Sequence, residues 1–138
     1  MVGLLPPHVE TALEPTPGKG NLVRALTARG IVVTAPEDFR VLEDGEWDAV
    51  VMNPPFSPPL IGYEILFRCM EMTDIVVALM PWLVIINSEK RTKAIFEWGL
   101  KSVTHLPRNT FPGCRAQCCI LEMVRGYSGD VRFGRIVR

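Results

Sequence analysis

An amide, two prolines and an aromatic ring follow one another at Asn53, Pro54, Pro55 and Phe56, directly after the apolar run Ala49-Val50-Val51-Met52. The Asn53 side-chain oxygen and the Pro54 carbonyl are neighbouring acceptors, and proline brings no competing backbone donor. Rigid prolines would hold such acceptors in place, as electrostatic preorganisation requires. Phe56 would stack on the face of a flat ring. The set suits a planar exocyclic amine, whose two N–H groups would each meet an acceptor. Drawing both protons into hydrogen bonds moves the nitrogen toward tetrahedral geometry and frees a lone pair otherwise conjugated into the ring. The competing reading is a strand ending in a stiff turn.

The element that must present these groups is the apolar run over 49–52. It reads as a strand buried on both faces, as in a parallel sheet. Two prolines cannot donate to a ladder, so the strand ends there. Asn53 and Phe56 then stand just past a strand's C-terminal end, where open α/β sheets bind ligands.

Upstream, Glu14-Pro15-Thr16-Pro17-Gly18-Lys19-Gly20-Asn21 follows a short apolar strand over 12–14. Gly18 and Gly20 permit positive φ and close approach of backbone to a ligand. Asn21 reads as the N-cap of a helix over 21–29. A phosphate loop does not fit, because it needs Ser or Thr after Gly-Lys and Gly20 stands there.

Taken together, Asn53-Pro54-Pro55-Phe56 and Glu14-Pro15-x-x-Gly18-x-Gly20, in that order along the chain, resemble the catalytic and cofactor motifs of S-adenosylmethionine-dependent amino-methyltransferases, chiefly the adenine-N6 DNA methyltransferases. The resemblance runs from about Thr11 to Val124. It implies S-adenosylmethionine as cofactor, held by Glu14, Pro15, Gly18 and Gly20, with Glu14 facing the cationic amino-acid half. Asp38-Phe39 is similar to the motif that contacts the cofactor adenine. The family's acidic ribose ligand is missing, since the second strand, over 31–34, ends in Thr34-Ala35-Pro36; Glu37 is the substitute nearest in sequence. A softer likeness covers 106–113, where Phe111 matches an aromatic that helps hold the target base. A core phenylalanine beside a turn is the competing reading of Phe111.

The remaining elements alternate. Helix 60–72, strand 75–80, a helix from Ser88 to 98, strand 102–106 and strand 117–124 follow, and 131–137 reads as one more strand. Such alternation implies a doubly wound, mainly parallel sheet. The resemblance specifies it as the Rossmann-like class I methyltransferase fold, with an antiparallel strand from a C-terminal hairpin. The stretch between the second and catalytic strands is short, so a helix and an edge strand are expected to be missing. The whole of 1–138 reads as a single catalytic domain without a separate target-recognition domain. Specificity would then come from loops, a homodimer or a partner subunit, or be low.

Composition sets the outer bounds. With 138 residues and 48% hydrophobic content the chain can bury a core. No apolar run reaches the length of a membrane span, and no secretory signal is apparent. The expected setting is the cytoplasm. Cys69, Cys114, Cys118 and Cys119, with His8 and His105, fit no zinc spacing, so no metal is expected. Cys118 and Cys119 are expected on opposite faces of one strand, one of them buried. The chemistry needs neither a cysteine nucleophile nor a histidine base, because the alkylated amine is acidic and can pass its proton to water.

Formal net charge is zero, which argues against coating nucleic acid by charge alone. The distribution is uneven, however. From Lys101 onward Arg108, Arg115, Arg125, Arg132, Arg135 and Arg138 face only Glu122 and Asp130. That asymmetry suits a phosphate-facing end, with Arg108 and Arg115, beside Phe111, as the substrate contacts. Ordinary solvated surface is the competing reading. DNA is the expected partner ahead of RNA. An RNA acceptor, a protein glutamine acceptor, or a non-catalytic binding module are the alternatives.

Overall fold

The structure, a computed structural model, describes residues 1–136. Seven strands form one sheet: β1 (Thr11–Leu13), β2 (Val32–Thr34), β3 (Ala49–Met52), β4 (Ile75–Pro81), β5 (Leu100–His105), β6 (Cys118–Val124) and β7 (Arg132–Arg135). Their order across the sheet is β2-β1-β3-β4-β6-β5-β7. β6 runs antiparallel between β4 and β5, and every other pairing is parallel. Three helices, α1 (Asn21–Ala28), α2 (Pro59–Met72) and α3 (Glu89–Gly99), complete the frame. This is the doubly wound sheet the alternation implies. Residues 137 and 138, the end of the expected last strand and the last arginine of the basic run, lie outside the described residues.

β3 and β4 are apolar throughout because both of their faces are covered. Val50 and Met52 point to one side, with Val76, Ala78 and Met80, and meet Tyr63, Leu66 and Cys69 of α2 and Ile95 of α3. Ala49 and Val51 point to the other, with Val77 and Leu79, and meet Leu26 of α1 and Leu5 and Val9 of the N-terminal segment. A strand's alternation thus feeds two cores at once.

Several boundaries move. The N-cap of α1 is Gly20, at φ 74°, and no side chain caps the helix. Asn21 is already its first helical residue. The left-handed turn falls where glycine tolerates it, which leaves Asn21 no capping position. Ser88 does cap α3, accepting from the Arg91 N–H. Cys118 and Cys119 do face opposite cores, but both are buried, because β6 lies inside the sheet and is covered on both faces. Between β2 and β3 there is only a 3-10 turn at Phe39–Val41, so β2 is the outer strand and its Val32 is 71% exposed.

Candidate active site

At the C-terminal ends of β1 and β3 a cleft of about 1480 Å³ opens. The turn Pro15–Gly18 forms one wall, Glu37–Arg40 with Leu42 a second, and Asn53–Phe56 a third. Ile61, Glu64, Ile65 and Arg68 of α2 close it. Pockets for a single small ligand run to about 1,000 Å³, so this cleft has room for a cofactor and an acceptor together.

The catalytic candidates meet the cofactor candidates here. Asn53, Pro54, Pro55 and Phe56 line the cleft with Pro15, Gly18, Glu37, Asp38 and Phe39. Asn53 is exposed, and its side-chain amide has no hydrogen-bond partner among the described residues. Its oxygen is therefore free to accept from a ligand. Pro54 is buried beside it, while Phe56 is half-buried and rests on the core beneath the far face of the sheet.

Helix α2 braces this wall through Gly62. A Cβ there would lie 3.2 Å from the Pro55 carbonyl oxygen, 3.6 Å from Pro54 Cγ and 3.9 Å from Met80 Cε. Absence of a side chain at Gly62 lets the helix sit directly against the proline turn.

Glu14 and Gly20 do not line the cleft. Glu14 is 1% exposed, tucked under the turn, where its Oε1 accepts from the Thr16 N–H at 2.9 Å and from the Thr16 hydroxyl at 3.3 Å. Burial pushes its carboxyl up to about 7, against the pull of those two bonds. It lies near enough to Cys69 that burial and the Glu14 charge together push that thiol up to about 12. Burial likewise raises Cys118 to about 11 and Cys119 to about 12, values of inert thiols. Gly20 carries the start of α1, with Lys19 O accepting from Arg24 Nη1 at 2.9 Å.

Thr34, at the position of the missing ribose acid, accepts through its hydroxyl oxygen from the Trp47 indole N–H at 2.9 Å. Asp38 caps the 3-10 turn and grips Arg40 at 2.7 Å; that pairing holds its carboxyl below the usual range. Arg68 is bound to Asp44 and Glu71. Once Arg40 and Arg68 are paired, Glu37 and Glu64 remain as acids without an ion pair among the described residues. The cleft thus carries two unpaired carboxylates that could accept hydrogen bonds or meet positive charge.

Ile61, Glu64, Ile65 and Arg68 escaped the sequence reading. Their i, i+3, i+4, i+7 spacing places them on one helical face, and that face follows directly on the proline turn.

Arg108, Phe111 and Arg115 stand apart from the cleft, on the loop joining β5 to β6, and all three are exposed. Phe111 is 38% exposed, which removes the reading of it as a core residue. Of the basic run, Lys101 and Arg132 pair with Glu122, and Arg125 pairs with Asp74. Although burial opposes ionisation of Glu122, its bonds from Lys101 and Ser102 hold its carboxyl below the usual range. Among the described residues there is no cluster of three or more potential metal ligands, and no helix is long and apolar enough to cross a membrane.

No protein-family model matches the sequence, and no curated protein is detectably similar to it. Solved structures do match the fold. The methyltransferase subunit of a type I restriction-modification system from Streptococcus thermophilus superposes over 93% of this chain, with TM-score 0.67 and 14% identity. A Listeria monocytogenes protein described as a class I S-adenosylmethionine-dependent methyltransferase does so over 93%, with TM-score 0.66 and 16% identity. The chain spans 42% and 58% of the length of those two proteins. A Pyrococcus horikoshii protein described as an RNA methyltransferase matches over 83% of this chain and 74% of its own, with TM-score 0.58 and 15% identity. Sheet order, antiparallel β6 and these superpositions together give the chain the Rossmann-like fold of class I methyltransferases.

Proposed function

We propose that this chain transfers the methyl group of S-adenosylmethionine to an exocyclic amine of a nucleobase, N6 of adenine in DNA foremost. The observation that carries this reading is the convergence, in one cleft, of the free Asn53 amide and the Pro54 backbone with the Pro15–Gly18 turn and Asp38-Phe39. A fold shared with DNA- and RNA-directed methyltransferases supports it.

The residues present fit that cofactor. The Pro15–Gly18 turn would take its amino-acid half and Asp38-Phe39 its adenine. Glu37 or Glu64 would accept from the ribose hydroxyls in place of the missing ribose acid. Bound there, the cofactor supplies an electrophilic methyl on a sulfonium. Asn53 Oδ1 and the Pro54 carbonyl accept the two N–H bonds of the acceptor and aim its lone pair. Phe56 stacks on the acceptor ring. Proton release goes to water, because the alkylated amine is acidic and needs no dedicated base. Arg108 and Arg115 would hold phosphates.

Calorimetric titration with S-adenosylmethionine tests the cofactor assignment. Gly18 has φ 48° and lines the cleft. Gly18→Val should abolish detectable binding while the domain stays folded, at a strain cost of roughly 1–2 kcal/mol. Equal affinity in the two proteins would overturn the assignment. Product analysis by mass spectrometry after incubation with DNA, RNA and protein acceptors separates the adenine-N6 reading from an RNA or glutamine acceptor.

A further inference from the structure

We infer that the C-terminal edge of β5 and β7 carries a binding ledge for unpaired nucleic acid, formed by Trp82 and Phe133 and flanked by arginines. It deepens the nucleic-acid reading above by naming a single-stranded or locally opened substrate.

Phe133 lies on the outermost strand and is 70% exposed. Folding gains little from a ring held so far out of the core. It nonetheless has one aromatic neighbour. Its centroid lies 5.8 Å from Trp82, tilted by 43°. The indole in turn donates from Nε1 to His105 Nδ1 at 3.0 Å, and the Trp82 backbone N–H donates to the Gln117 carbonyl at 2.9 Å. The indole is thus anchored, and the phenylalanine ring lies against it.

Charge identifies the occupant. Lys101, Arg125 and Arg132, which have carboxylate partners, all stand at the opposite end of their strands: the start of β5, the end of antiparallel β6 and the start of β7. Arg108, Arg115 and Arg135, which have no ion pair among the described residues, all stand at the C-terminal edge: the β5–β6 loop and the end of β7. Arg135, two positions beyond Phe133 on the same face of β7 and level with His105, thus stands unneutralised beside the half-buried Trp82 and the exposed Phe133, whereas the neighbouring Arg132 points to the other face and is paired. A polyanion with flat apolar faces matches both features. Bases offer those faces only when unstacked, and aromatic stacking on them is sequence-tolerant.

Position links the ledge to the cleft. Phe133 pairs with Val103 and Arg135 with His105, and Val103 belongs to the core on the α2 side, against which Trp82 and Ile61 also pack. Four strand spacings separate β3 from β7, on the order of 19 Å. A strand whose target base enters the cleft would lay its flanking bases across Trp82 and Phe133.

The test is fluorescence anisotropy with a short labelled oligonucleotide, single-stranded and as its duplex, over a range of salt. Wild type should prefer the single strand. Phe133→Ala should weaken that binding roughly five- to a hundredfold and leave the duplex nearly unchanged, while Phe133→Tyr retains it. Arg135→Gln should lower the salt slope by about 0.7. Because Phe133 is largely exposed, melting curves of the variants should match wild type. Single-strand affinity unchanged in Phe133→Ala overturns the ledge. So does self-association that depends on Phe133 without oligonucleotide binding, which would make the surface a contact between copies. Cofactor titration on the same preparations separates the two readings. Phe133-dependent binding without cofactor affinity keeps the ledge and removes methyl transfer; cofactor affinity without oligonucleotide binding does the reverse.

Discussion

On one side of β3 the sheet consists of two strands of three residues each; on the other, four strands of up to seven. β1 pairs with β2 at three positions and with β3 at two, whereas β4 pairs with β6 at seven. The short flank compensates with side chains. The Asp48 carboxylate accepts from the Glu10 and Thr11 N–H groups at 2.9 Å each, and the Thr11 hydroxyl accepts from the Asp48 N–H at 3.0 Å. The Trp47 indole anchors Thr34. The flank that would hold the cofactor is thus clamped by a few polar contacts, and the flank facing the acceptor by a backbone ladder. The lesson is that β3 keeps its place in the sheet although the flank on its β1 side is reduced to two short strands joined to it by a 3-10 turn.

Four measurements would break or sharpen that contrast, and the largest effect belongs to the strand between the flanks. Asn53→Ala should lower turnover about 100- to 1000-fold, by analogy with loss of one preorganised hydrogen bond to a reacting group. Cofactor affinity should be preserved, because Asn53 takes no part in the Pro15–Gly18 wall. An active preparation of Asn53→Ala turning over at the wild-type rate would reduce the proline turn to a structural feature.

Next comes Glu14, on the clamped flank. Its folded carboxyl titrates near 7 against an ordinary value near 4.5. Between those values the unfolded chain has lost the proton and the folded chain retains it. Stability is therefore fully present below the ordinary value, falls as pH rises through the folded one, and is level above. Glu14→Gln should be more stable than wild type by on the order of 2–3 kcal/mol at about pH 8, and equal to it at about pH 4. Denaturant melts at both pH values check this, and parallel curves at both would remove the buried acid from the account.

Phe56→Ala should raise KM for a nucleic-acid acceptor by an amount equivalent to roughly 1–3 kcal/mol, with a smaller loss in kcat. An unchanged KM would assign the ring to the core it touches. The smallest effect is expected from Gly62→Ala. Alanine in place of glycine inside a helix gains about 1 kcal/mol, yet the new Cβ would press the Pro55 carbonyl by a few tenths of an ångström. Melting temperature should hold or rise while kcat falls about three- to tenfold. A Gly62→Ala enzyme as active as wild type would show that the turn does not need its brace.

The sequence disclosed strands and helices where burial forces a pattern. The bounds of β3 match those read from the apolar run, because both faces are covered and the prolines end the strand chemically. The sheet's shortening was visible as a gap too small for a helix. What escaped depended on which way a group turns. The resemblance has Glu14 facing a cofactor's cationic half, whereas the structure turns its carboxylate under the Pro15–Gly18 turn onto Thr16, a direction that a two-residue turn decides. Asn21 has capping chemistry, but Gly20 takes the left-handed turn first. Only one of Cys118 and Cys119 was expected to be buried, because nothing local shows that β6 is inserted between two partners. Glu64 and Arg68 carry no motif and become site residues only through the direction of α2.

β6 also has a consequence for biosynthesis. Its partner β4 is complete at residue 81, yet β6 ends at residue 124. At about 5–20 residues per second on the ribosome, β4 waits ~2–9 s with its outer edge open. That edge is a fully apolar stretch over 75–80, which is the kind of segment that templates intermolecular pairing. Yield should therefore respond to synthesis rate and to chaperone supply more than to the stability of the finished domain.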